Sequence, residues 1–189
     1  MTEEESFPFP IVLGSSSKYR RTLLTSWAIP HTCFSADIDE YAIVPSGVPL
    51  EQRNQSPPDQ LVLAVADAKS RAILRCNELE PKALLITSDQ VVCFQGEIRE
   101  KPSTPEQVQR WMHEYSREPA VLCTAIVVRQ VGTERVEQGV CFASQLYEGI
   151  PEQVIEQLIK EEEVFDCCGA LIISSGKICS VECFVLKET

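Results

Sequence analysis

Residues 83–94 read Ala-Leu-Leu-Ile-Thr-Ser-Asp-Gln-Val-Val-Cys-Phe, an apolar run interrupted at its centre by four polar side chains. The flanking Leu, Ile and Val have the composition of a buried strand. Gln95-Gly96 offers a tight turn into a short partner at Glu97–Arg99. An aspartate in mid-strand is costly to bury unpaired, so Asp89 reads as a functional group or a metal ligand rather than a packing residue.

Working outward, Ile11-Val-Leu-Gly14 reads as a second short buried strand. Ser15-Ser16-Ser17 forms a turn and N-cap, and Lys18 to Trp27 a helix. Ile29 to Asp37 alternates weakly, as a strand does, and the proline-rich stretch from Tyr41 to Pro58 is a loop placed to act as a flap. From Asp59 to Leu79 the residues Leu61, Val62, Val65, Ala66, Ala68, Ala72 and Ile73 recur at helical spacing, with Lys69 at the edge of the stripe. Thr104-Pro105-Glu106-Gln107 opens a helix that runs to about Tyr115, with proline at its first position and a capping-box pattern. Strands near 120–130 and 134–147 pair across Gly132-Thr133. Pro151 to about Glu162 is a helix, and Leu171 to Leu186 is an apolar tail turning at Gly176-Lys177. Without repeats or an internal boundary, the expectation is an N-terminal tail over 1–10 and one α/β domain over 11–189, built on an elongated mixed sheet flanked by helices with a central cleft.

A chain of 189 residues with 44% hydrophobic and 24% charged residues has the size and balance of one ordinary globular domain. Its net charge of −11 works against nonspecific contact with a nucleic-acid backbone, so a phosphate-bearing ligand must meet a local basic pocket. The start, Met1-Thr2-Glu3-Glu4-Glu5, is acidic where a secretion signal is basic, and no apolar run approaches a membrane span, so a cytosolic location without membrane contact is expected. Nine irregularly spaced cysteines, with only two histidines, suit reduced thiols better than disulfides or zinc.

Gly14 to Arg21 joins hydroxyls, free amides at a helix start and three cations, the groups an anionic phosphate seeks, although a plain serine cap followed by a solvated basic turn fits equally well. Asp37, Asp39 and Glu40 follow one strand and Asp89 lies on another, an arrangement able to hold a hard divalent cation. The alternative is a solvated acidic loop, which suits Asp37 better than Asp89. Lys101-Pro102 puts a lysine on a stiff linkage, within reach of phosphate or simply at the surface. Glu161–Glu163 reads as a solvated helix end, and His113 as a surface or packing residue.

These blocks resemble the Maf family of nucleotide pyrophosphatases. Leu13-Gly14-Ser15-Ser16-Ser17-Lys18-Tyr19-Arg20-Arg21 is similar to its opening motif, Asp39-Glu40 to its acidic pair, Ser56-Pro57 to its Glu-Ser-Pro and Lys69 to its helix lysine. Ser88-Asp89-Gln90-Val91-Val92, Gly96-Glu97-Ile98 and Lys101-Pro102 resemble the central block, and Ser116, Thr124 and Asp166-Cys167-Cys168-Gly169 the later ones. The likeness runs from about residue 11 to 176.

The resemblance implies an inosine triphosphatase-like fold that hydrolyses nucleoside triphosphates to monophosphate and pyrophosphate with a divalent cation, Mg²⁺ or Mn²⁺. It implies Asp89 as catalytic carboxylate and Glu40 and Asp89 as metal ligands. Lys69, Lys101 and Arg20 would bind the phosphates, with Arg21 beside them and Ser15 and Ser17 as hydrogen-bond donors. Tyr19 would stack on the base, with Gln90, Thr124 and Ser174 in its neighbourhood. Ser-Asp-Gln and Asp-Cys-x-Gly resemble the branch acting on 7-methyl-GTP; Lys18 and Tyr19, and serines at 174–175 in place of a glutamate, depart from that branch. The alternatives are a UTP or dTTP pyrophosphatase of the same family and a non-catalytic nucleotide-binding regulator of cell division. A homodimer is compatible with the family.

Overall fold

The structure, a computed structural model, describes residues 7–147 and 149–171 and the backbone of 180–186. In chain order the elements are β1 (Ile11–Gly14), α1 (Lys18–Ser26), β2 (Thr32–Phe34), α2 (Pro58–Cys76), β3 (Leu84–Phe94), β4 (Glu97–Arg99), α3 (Pro105–Tyr115), β5 (Ala120–Gln130), β6 (Val136–Tyr147), α4 (Glu152–Lys160) and β7 (Ser180–Leu186). Short 3₁₀ turns occupy Glu40–Ala42, Leu50–Gln55, Glu163–Asp166 and Cys168–Ala170. The α/β expectation holds: a mixed sheet in the order β2-β1-β3-β5-β6-β7, with β4 also paired to β3. β1 runs parallel to β2 and β3, and the remaining pairings are antiparallel.

β3 carries both layers of the core because its side chains alternate faces. Val91 packs with Leu61, Val62, Val65 and Ala66 of α2 on one face. On the other, Val92 and Phe94 join Val108, Trp111 and Met112 of α3 and Ile155 and Leu158 of α4. α2 is tied down further by the Thr87 hydroxyl, which donates to the Ala66 carbonyl at 2.8 Å. Only glycine suits position 14, where β1 passes beneath α2: a Cβ there would lie 2.5 Å from Thr87 Cγ2 and 2.7 Å from Ile73 Cδ1. The β3–β4 hairpin is braced by buried Arg99, whose guanidinium stacks 4.2 Å from the Phe94 ring centroid and pairs with Glu114.

Several expected boundaries shift. The strand expected over 29–37 contracts to Thr32–Phe34. α2 stops at Cys76, where the Asn77 backbone and side-chain amides both donate to the Ile73 carbonyl. α4 stops at Lys160, and Glu162 adopts a left-handed φ of 59° that cannot continue a right-handed helix. The stretch expected as a loop over 41–58 is ordered by its two 3₁₀ turns, with Arg53 and Ser56 buried, so it is part of the wall rather than a free flap. The proposed turn at Gly176-Lys177 lies outside the described residues.

Candidate active site

The polar tetrad in β3 sits where the sheet divides. Along one edge β5 pairs with β3 continuously from Leu84 to Cys93. Along the other, β1 pairs only with Leu84–Thr87 and β4 only with Val92–Phe94. Among the described residues Ser88–Val91 therefore has no strand beside it on that side, and a cleft of about 620 Å³ opens there, a size typical of small-molecule sites. A crevice beyond the carboxyl end of a parallel strand is a recurrent ligand position in α/β sheets. The Ser88 carbonyl accepts a hydrogen bond from Arg20 Nη1 at 3.1 Å.

Alternation then sends successive side chains to different walls. Asp89 shares the α2 face with Thr87 and Val91, and there it meets Lys69. Lys69 Nζ lies 2.8 Å from Asp89 Oδ1 and 2.8 Å from Glu40 Oε2, which the Asp39-capped turn Glu40–Ala42 presents from the opposite wall. Lys69 and Asp89 are both buried, their side chains 10% and 13% exposed. Burial pushes the Asp89 carboxyl above its ordinary value of 3.8, against the opposing pull of the Lys69 ammonium. One ammonium facing two carboxylates leaves an excess negative charge at a point open to the cleft.

That imbalance bears on a divalent cation. Among the described residues no group of three or more His, Cys, Asp or Glu is placed to hold a metal ion, so a closed protein cage is absent there. Two converging carboxylates nevertheless suit a Mg²⁺-type ion, which uses one or two protein carboxylates and takes its other ligands from phosphate and water. Glu40 and Asp89 fit that chemistry.

Gln90 points to the opposite face. Its Nε2 donates to Cys168 Sγ at 3.2 Å, and its Oε1 accepts from the Thr124 hydroxyl at 2.9 Å. The β3–β5 register sets Thr124 directly opposite Gln90, so Thr124 stands behind Gln90 rather than among the cleft-lining residues. Cys167 and Cys168 do line it. Burial pushes the Cys167 thiol up to about 11 and Cys168 upward as well, so both stay protonated at neutral pH and neither is an activated nucleophile.

The third wall is the start of α1. Ser17 is its N-cap, accepting from the Arg20 amide, and Ser15 Oγ accepts from Ser17 N–H at 3.2 Å and Arg20 Nη1 at 3.4 Å. The first turn holds Lys18, Arg20 and Arg21 and no acid, the reverse of what a helix N-terminus prefers, and of the three only Arg20 lines the cleft. Ser15, Ser16, Tyr19 and Arg20 line the cleft. Ser17 and Arg21 do not: capping turns Ser17 back onto the helix, and Arg21 is exposed on a different side of it. Lys101 lines the cleft with its side chain 56% exposed, and Asp166 is 4.0 Å away. Ser174 lies outside the described residues.

The acidic run at 161–163 is not merely a solvated helix end. Glu163 accepts from the Tyr19 hydroxyl at 2.6 Å and pairs with Lys18, joining the turn after α4 to α1. Burial and that bond hold the phenol well above its usual range, so it remains a donor. His113 is a surface residue paired with Glu152 at 2.9 Å. Residues not singled out in the sequence also reach the cleft, notably Tyr41 and Glu100. Glu100 directly precedes Lys101, and adjacency was the one available signal for it.

Gly169 sets the wall containing Cys167 and Cys168. Its N–H donates to the Glu100 carbonyl at 2.8 Å, its φ is +59°, and a Cβ would fall 2.5 Å from Val92. Gly169→Ala is therefore expected to lose about 3 kcal/mol through left-handed strain and overpacking. Differential scanning calorimetry should show a fall of roughly 6–12 °C, given the scaling for a chain of this size.

A mixed α/β sheet thus opens around a buried acid–base cluster, with a basic helix start across the gap. The chain belongs to the Maf-like family, whose model matches residues 10–185. It is 34% identical over 169 residues to a 7-methyl-GTP pyrophosphatase of Dictyostelium discoideum, covering 87% of this chain and 81% of the relative. It is 30% identical over 161 residues to a 7-methyl-GTP pyrophosphatase of Idiomarina loihiensis, covering 85% and 76%. A dTTP/UTP pyrophosphatase of Chlamydia trachomatis is 29% identical over 166 residues, covering 88% and 78%.

Proposed function

We propose that this protein hydrolyses a nucleoside triphosphate to its monophosphate and pyrophosphate, with a 7-methyl-GTP-like nucleotide as substrate. The observation that carries the reading is the Asp89–Lys69–Glu40 cluster at the division of the sheet, in a chain whose relatives are named for this reaction. Water attacks the α-phosphorus, a new P–O bond forms, and the bond to the β-phosphate oxygen breaks as pyrophosphate leaves. Asp89 takes the proton of the attacking water. Arg20, Lys101 and Ser15 hold phosphate oxygens in line, and Lys69 offsets charge that grows during attack. A divalent cation held by Glu40 and Asp89 would polarise phosphoryl oxygens and neutralise the triphosphate.

At the other end Tyr19 stacks on the base, while Gln90, oriented by Thr124 and Cys168, faces its polar edge. A second base class is favoured by the dTTP/UTP-named relative. Pyrophosphate release measured with 7-methyl-GTP, GTP, UTP and dTTP under Mg²⁺ and Mn²⁺ separates the two. Faster turnover of UTP or dTTP overturns the base assignment, and saturable binding without pyrophosphate release points to a regulator instead. Tyr19→Ala should raise KM for the preferred nucleotide about tenfold, the loss of one stacking contact worth ~1.4 kcal/mol. Among the described residues no helix is long and apolar enough to cross a membrane. We place the activity in the cytoplasm, without nucleic-acid partners given the net charge of −11, and as a homodimer that light scattering after gel filtration would detect.

A further inference from the structure

Arg53 lies outside the acid–base cluster, yet it is one of the most buried charged residues described, 6% exposed. Its Nη2 pairs with Glu100 Oε1 at 2.7 Å, and its Nη1 donates to the Ile43 carbonyl. Its guanidinium carbon lies 5.9 Å from the centroid of the Tyr41 ring, and Nε is buried without a hydrogen-bond partner. Each end of this contact leads to a different wall of the cleft. The Ile43 N–H donates to the Glu40 carbonyl, so the turn presenting the Glu40 carboxylate is held between that bond and the guanidinium. On the other side Glu100 precedes Lys101, and its carbonyl accepts from Gly169 N–H at 2.8 Å. The Glu40 turn, the Lys101 loop and the Cys167–Gly169 wall are thus fastened around one ion pair, its guanidinium buried and its carboxylate half-buried.

Holding the guanidinium out of water is expensive, and an apolar side chain would pack the same space more cheaply. Its fork supplies geometry instead: two bonds in one plane, fixing two loops that have no strand in common. We propose that Arg53 and Glu100 are positioning residues, which set the Glu40 carboxylate against Asp89 and thereby the affinity of the cluster for a divalent cation. The inference rests on the proposed reaction only in taking Glu40 and Asp89 as cation ligands.

The test uses the full-length chain and Mn²⁺ as probe, with free Mn²⁺ counted by electron paramagnetic resonance, alongside pyrophosphate release. R53M should weaken Mn²⁺ binding about tenfold and lower kcat/KM roughly 100-fold, the scale of a small misplacement of a catalytic group. R53K, which keeps the charge but not the fork, should recover part of both. The decisive comparison is E40A against E40A/R53M: if Arg53 acts through Glu40, the double variant binds Mn²⁺ no more weakly than E40A. Additive losses, or unchanged Mn²⁺ affinity in R53M or R53K, overturn the proposal. E100Q, which keeps an acceptor on the loop, carries the same comparison if R53M does not fold. A parent chain that binds Mn²⁺ at Glu40 but releases no pyrophosphate would sink the proposed reaction and leave the clasp standing.

Discussion

Asp89→Asn should lower metal-dependent pyrophosphate release by about 10⁴-fold, the upper range for loss of a positioned proton acceptor, while the folded chain survives. The amide matches the carboxylate in shape but neither takes a proton nor offsets a cation. Stability should move the other way at neutral pH. Burial is the largest influence on Asp89 and holds its folded pKa above the ordinary 3.8. A raised acid contributes stability that is fully present below the unfolded pKa and lost as pH rises through the folded one. The parent should therefore lose stability relative to Asp89→Asn between about pH 4 and the upper side of that titration, with a constant difference beyond it. Melting curves recorded from pH 4 to 8 check this. A parent that gains on the variant with rising pH would show that Lys69 outweighs burial.

Lys69→Met should cost about 3 kcal/mol of stability at neutral pH, since removing one partner of a buried pair leaves the other charge uncompensated. Lys69 bridges Asp89 and Glu40 at 2.8 Å each, so its loss leaves two carboxylates facing one another. Asp89 then titrates higher still, because the cation that opposes burial is gone and Glu40 pushes the same way. The deficit should shrink as pH falls and Asp89 takes a proton, and the acid limb of any residual activity should move to higher pH. Turnover should drop by roughly 10²–10³-fold through lost charge stabilisation. Denaturant midpoints at pH 5 and 8, paired with a pH–rate profile, measure both effects. An equal loss at the two pH values would mean that Lys69 serves packing alone.

The local chain was informative where one element carries its own signal. The apolar run of β3, the helical stripe of α2, the capped start of α3 and the turn at Gly132-Thr133 all appear within a residue or three of expectation, because each depends on neighbours in sequence. Asp89 was legible for the same reason: a charge inside an apolar strand stands out from its flanks. Ser17, Arg21 and Thr124 were placed at the site by the family resemblance. Ser17 caps α1, Arg21 is exposed on that helix, and Thr124 shares the face of Gln90 and bonds to it from the neighbouring strand, matters of direction and pairing rather than proximity along the chain.

Glu163 and Arg53 left no local trace. One sits in an acidic run and the other in a proline-rich segment, both of which have the composition of solvated surface. By itself the sequence determined the strands, the helices, the family likeness and the polar break at residues 87–90, since these follow from residue chemistry at short spacing. Only the tertiary structure decided that β1 pairs with β3 no further than Thr87 and that β4 pairs with it only from Val92. That gap turns a polar break into a cleft. It also sends Asp89 and Gln90 to opposite walls, because consecutive side chains on a strand face opposite sides and the two layers of helices supply different partners.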